Sequence, residues 1–149
     1  MSRFHRGALL ALLACIVHVG HAQTPLTPVV RNGISYITGG VGRTEVDAFR
    51  SAASRYNLRM TFASKAGSYL AEVDVSIWPV TGQRLMRVWT EGPFLFVRVP
   101  PGTYRIEIHL RSQSEMRTVQ VPASGSTEVI FHLEDPDECG VIKLCGSHG

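Results

Sequence analysis

Histidines, cysteines and carboxylates are the side chains able to hold a metal or move a proton, so their spacing comes first. His5, His18 and His21 fall in the first 22 residues, leaving His109, His132 and His148 for the rest of the chain. None of the three forms an H-x-H or H-x-x-x-H pair, the spacings that turn two imidazoles toward one ion. The alternation around His109 and His132 puts both on the wet side of strands, so no metal site is expected. Serines are plentiful, but no Gly-x-Ser-x-Gly elbow exists to lift one as a nucleophile. Gly39-Gly40-Val41-Gly42 sits between an apolar run and a helix, where phosphate-cradling loops occur. Counting back from Gly42-Arg43-Thr44, however, Ile37 occupies the first glycine position of G-x-x-x-x-G-K-[ST], and Arg43 occupies the lysine position. A packed glycine turn is the better reading, and no cofactor is expected.

Two tryptophans and an arginine offer recognition chemistry instead. A hairpin turning at Pro79-Val80-Thr81-Gly82 that keeps Val73, Val75 and Ile77 inward with Thr90, Val88 and Met86 fixes the opposite face. Trp78 then lies opposite Leu85, Ser76 opposite Arg87, and Asp74 opposite Trp89. Arg87 falls between the indoles, within cation–π reach. Indole and guanidinium are the groups most enriched at binding hot spots. Two arrangements are compatible with this ladder. The expected one lays the chain's only helix across it; the other leaves it open as a binding face of Trp78, Arg87 and Trp89.

The elements that position these residues follow a simple order. Arg3 and Arg6 precede the almost unbroken apolar run at residues 8–19, and Gly20-His21-Ala22 ends it in small residues. That is the pattern of a cleaved secretory signal, residues 1–22. The run is shorter than the roughly 18–20 residues of a membrane span, so no transmembrane segment is expected after cleavage. Leu12-Leu13-Ala14-Cys15 is similar to a lipobox, but Ile16 and Val17 continue the apolar run beyond it. Soluble maturation is therefore expected over a lipid anchor at Cys15. Without the leader's arginines the net charge of +3 falls close to zero, leaving no basic stripe for nucleic acid. Of three cysteines, Cys139 and Cys145 remain, and in an oxidising compartment an even pair implies a disulfide. The expected localisation is periplasmic or secreted.

Residues 23–43 read as a proline-spaced linker and N-terminal arm. Residues 44–57 read as a helix with Thr44 at its N-cap and a stripe of Val46, Phe49, Ala53 and Tyr56. Seven strands follow within residues 58–133, separated by turn signals and by no helical crossover, which argues for an antiparallel β-sandwich. At its centre, Pro101-Gly102 suits a turn with glycine at positive φ, and Tyr104, Ile106, Ile108 and Leu110 alternate with polar residues behind it. Pro101, Gly102 and Tyr104 are thus the structural turn on which the central strand begins. Residues 134–149 form a charged tail with the Cys139–Cys145 loop.

Gly92-Pro93-Phe94-Leu95-Phe96, followed by Val99-Pro100-Pro101-Gly102-Thr103-Tyr104-Arg105-Ile106, resembles the "G-x-F-x-F…L-P-P-G-x-Y-x-L" core of carboxypeptidase regulatory-like domains. Those are seven-stranded, transthyretin-like (prealbumin-like) sandwiches, and the match covers residues 58–133. The segment from Gly39 through Leu58 resembles short exported Gram-negative proteins carrying the same module. The resemblance implies an all-β fold with one short N-terminal helix, and an envelope address. It implies no catalysis: carboxypeptidase chemistry belongs to another domain. The 5-hydroxyisourate hydrolases of this fold end in Tyr-Arg-Gly-Ser, whereas this chain ends Cys145-Gly146-Ser147-His148-Gly149. The expected function is binding or scaffolding, with an envelope protein or a glycan as partner. A carbohydrate or cell-wall binder is the first alternative, and an enzyme of unrecognised type the second.

Overall fold

The computed structural model describes residues 26–134, and within them the chain is a two-sheet, sandwich-like β fold with one helix. The first sheet has the order β1-β2-β6-β3-β9, where β1 is Val29–Arg31, β2 Ile34–Gly39, β3 Leu58–Ser64, β6 Phe94–Arg98 and β9 Thr127–Leu133. The second has the order β5-β4-β7-β8, where β4 is Asp74–Pro79, β5 Met86–Trp89, β7 Gly102–Leu110 and β8 Gln113–Val121. Residues 58–133 supply seven of these strands, as their period-2 patterns predict. The other two come from the segment expected as linker and arm. Asn32 (φ 51°) and Gly33 (φ 76°) make a two-residue turn between β1 and β2, the conformation for which Asn-Gly is best suited.

The sandwich is not wholly antiparallel, which corrects the expectation. After β8 the chain crosses to the first sheet and lays β9 parallel to β3, in register from Leu58 opposite Thr127 to Ser64 opposite Leu133. Hydrogen bonds from Thr127 N–H to the Asn57 carbonyl and from Lys65 N–H to the Leu133 carbonyl fix the two ends of this pair. Between the sheets lies the main core, in which Leu58, Met60, Phe62, Ile77, Leu95, Ile106, Ile108 and Phe131 are fully buried. Phe62 and Phe131 stack with ring centroids 5.6 Å apart.

A second, smaller core lies outside the first sheet. The helix α1, Arg43–Ala52, continues into a 3-10 turn at Ala53–Arg55 and packs Phe49, Ala52 and Tyr56 onto Ile37, Phe94 and Phe96. Phe49 is wedged against both strand phenylalanines, 5.4 Å from Phe94 and 5.1 Å, edge-on, from Phe96. The expected single helix over residues 44–57 is thus shorter, and its N-cap is Gly42 (φ 80°), not Thr44. No side chain caps the helix; Glu45 in its first turn reaches back instead, its carboxylate accepting from the N–H groups of Gly40 (2.8 Å) and Val41 (2.6 Å) in the preceding turn. The glycine turn is packed tightly: a Cβ on Gly40, at φ 98°, would meet the Phe94 ring at 2.3 Å.

Gly102, the first residue of β7, has the positive φ expected of it, 157°, a backbone conformation that residues with a Cβ rarely adopt. Of the surrounding atoms only Tyr104, at 3.8 Å, would face a Cβ there. The hydroxyl of buried Tyr104 donates to the Pro100 carbonyl (2.7 Å), tying the loop ahead of Pro101 back onto the strand.

Candidate functional site

Because α1 covers the first sheet, the outer face of the second sheet has no cover among the described residues. The register of its hairpin is the expected one: Asp74 pairs with Trp89, Ser76 with Arg87, and Ile77 with Met86. The helix, expected to lie across the tryptophans, packs on the far side of the molecule. The reason is the shape of the apolar surface. Phe94 and Phe96 give β6 an apolar outer face into which Phe49 fits, whereas the outer positions of β4 and β7 are mainly polar.

Trp89 is 62% exposed at the short edge strand β5. Trp78 is half-buried, two cross-strand rows away, or about 14 Å by ordinary sheet spacings. The cation expected between them is differently employed. Arg87 is clamped by the buried carboxylate of Asp74, with Nε 2.9 and 3.1 Å from the two oxygens. This hydrogen-bonded guanidinium holds Asp74 below the usual carboxylate range, outweighing the upward push of burial. The cation over Trp78 is Arg105 of β7, 5.4 Å from the ring centroid. Glu107 and His109 add a second side-chain contact, 3.2 Å between Oε1 and Nε2, on the same face.

The face therefore presents two indoles among polar groups already paired with one another. Asp74, His109 and Ser114 occupy one cross-strand row, an order reminiscent of a proton relay. They do not form one: Asp74 is taken by Arg87, and His109 Nε2 faces Glu107. Among the described residues no three of His, Cys, Asp and Glu converge as metal ligands. No helix in the described part is long and apolar enough to cross a membrane. Cys139, Cys145, Cys15 and the segment expected as a signal, residues 1–22, lie outside the described residues.

A second surface was not anticipated by the sequence. Outside the first sheet, α1 covers β2 and β6 but leaves β3 and β9 open, with Arg59 and Thr61 beside Glu128 and Ile130. A pocket of about 650 Å3 at one end is lined by Arg50, Arg59 and Arg98 and by no acidic residue. It adjoins a groove of about 360 Å3 floored by Phe49, Phe94, Phe96 and Ile130. Arg59 donates to Ser126 Oγ and pairs with Glu128 at 2.8 Å, yet its buried Nε–H has no acceptor. These arginines come from α1, β3 and the end of β6, distant in sequence, and only the sheet order joins them. Compared with known proteins, the chain matches no family model and no curated protein.

Proposed function

We propose that this chain is an exported, non-catalytic β-sandwich module that acts by binding or scaffolding in the cell envelope. Its contact surface is the outer face of the second sheet. The observation that carries this reading is Trp89, a large indole left 62% exposed on a face that no described element covers. Burying such a ring is worth about 2–3 kcal/mol, so a partner gains directly from covering it. The side chains around it are held in pairs, Asp74 with Arg87 and Glu107 with His109, and so present a pre-organised polar surround.

The segment from Phe94 to Tyr104 supports placing the module with carboxypeptidase regulatory-like, transthyretin-like domains. The apolar segment before residue 22 and a Cys139–Cys145 disulfide belong to the same reading. A glycan is the second candidate partner, because a flat indole flanked by fixed hydrogen-bonding groups also suits a sugar ring. Affinity capture from native envelopes with tagged protein tests the proposal. A stoichiometric protein or cell-wall glycan retained by wild type and lost in Trp78→Ala/Trp89→Ala is the expected result. Capture unchanged in a folded double variant overturns this choice of face.

A further inference from the structure

We propose that the pocket and groove beside α1 form a binding site for an anionic amphiphile, with a phosphate-monoester head on the arginines and an apolar chain along the groove. This site is on the opposite side of the molecule from the tryptophan face and does not depend on it.

Charge is the first argument. Arg50, Arg59 and Arg98 converge on one pocket from three elements, and no carboxylate lines it. Arg50 does pair with Asp47 (3.0 Å), and Arg59 with Glu128 (2.8 Å), which lines the adjoining groove. The C-terminal end of α1 contributes roughly half a negative charge there, and three guanidinium groups set against the two carboxylates of Asp47 and Glu128 still leave a positive balance. Arg98 also donates to the Arg55 carbonyl (2.9 Å), partly neutralising that helix end. Donors approaching from three directions match the several oxygens of a phosphate better than the two of a carboxylate, which one arginine satisfies bidentately.

The second argument is the unmet donor. Arg59 is a rim residue of both cavities, only 20% exposed, and its Nε–H is buried with no acceptor in the protein. A buried guanidinium nitrogen left without a partner is uncommon and marks a place for an incoming oxygen.

Continuity supplies the third. Arg50, Ala53 and Arg59 line both cavities, so the charged pocket runs directly into the apolar groove. Ile130 is 50% exposed on that floor, and Tyr69, 65% exposed, meets Phe94 edge-on at the groove wall. A chain attached to the bound head would cover surface that otherwise faces water.

Titration calorimetry of the purified protein with decyl phosphate below its micelle concentration tests the site. Inorganic phosphate and decyltrimethylammonium serve as the comparison arms. Saturable one-to-one binding of decyl phosphate is expected, at least tenfold tighter than either. Arg59→Gln and Ile130→Glu should each weaken it tenfold or more, whereas Trp89→Ala should leave it unchanged. If Arg59→Gln fails to fold, Arg98→Gln, an exposed change in the same pocket, should show the same loss. Equal affinity for inorganic phosphate would overturn the chain-binding half of the proposal, and equal affinity for the cationic detergent would overturn the head-binding half. No saturable binding of decyl phosphate overturns both.

Discussion

Asp74 illustrates how a single side chain holds the exposed face in order. It is buried, yet it faces outward from β4, and Arg87 bends over it with both oxygens engaged. Its carboxyl is held low chiefly by that hydrogen-bonded guanidinium, and burial only partly opposes the effect. A group with a depressed folded pKa contributes stability that is complete above its unfolded value, about 3.9. That contribution is lost as pH falls through the lower, folded value. Wild-type protein should therefore lose stability between about pH 5 and pH 2 more steeply than Asp74→Asn. Urea midpoints across that range measure the difference. Parallel curves would mean that the carboxylate gains nothing from Arg87 in solution. Glu45 is the counterpart at the helix N-terminus. By accepting from Gly40 and Val41 it occupies the position an external anion would need, which gives the glycine turn a structural role.

Among the elements, α1 shows both what the sequence made legible and what it did not. Its apolar stripe identified a helix with Phe49 and Tyr56 inward, and both are buried. Where that stripe docks was readable too, but in a different strand. Phe94, Leu95, Phe96 and Val97 are apolar at four successive positions of β6, the pattern of a strand covered on both faces. The strands bearing the tryptophans alternate with polar residues and need only one covered face. Asn32-Gly33 likewise carried a hairpin signal sufficient to place β1 and β2 in a sheet. The parallel pairing of β3 with β9 had no such local signal, because alternation sets a strand's faces and not its neighbour. The arginine pocket depends on that pairing, so it was invisible for the same reason. If Phe49 anchors α1 as its contacts indicate, Phe49→Ala should cost about 3–4 kcal/mol, the range for a fully buried phenylalanine. Denaturant unfolding of that variant measures the loss, and a cost below 1 kcal/mol would show that the helix is not seated on β6.

At the scale of the whole molecule, the asymmetry between the sheets is the feature on which the proposed binding function rests. The first sheet is covered by the main core on one side and by α1 on much of the other. Among the described residues the second sheet is covered on its inner side alone, and both tryptophans lie on the side left open. Stability and the proposed recognition are therefore separable by substitution. Trp89 contributes little to either core, so Trp89→Ala should change stability by no more than about 0.5 kcal/mol, as exposed substitutions do. Trp78 is half-buried and shares its ring face with Arg105, so Trp78→Ala should cost more, about 1 kcal/mol. Emission from the two indoles distinguishes them without a partner. Protein retaining only Trp89 should emit at long wavelength and be strongly quenched by iodide, while protein retaining only Trp78 should be bluer and partly protected. Equal protection of both indoles in the isolated protein would mean that this face is already covered, by a second copy or by chain outside residues 26–134. A concentration series then separates those two outcomes, since only a second copy gives protection that disappears on dilution.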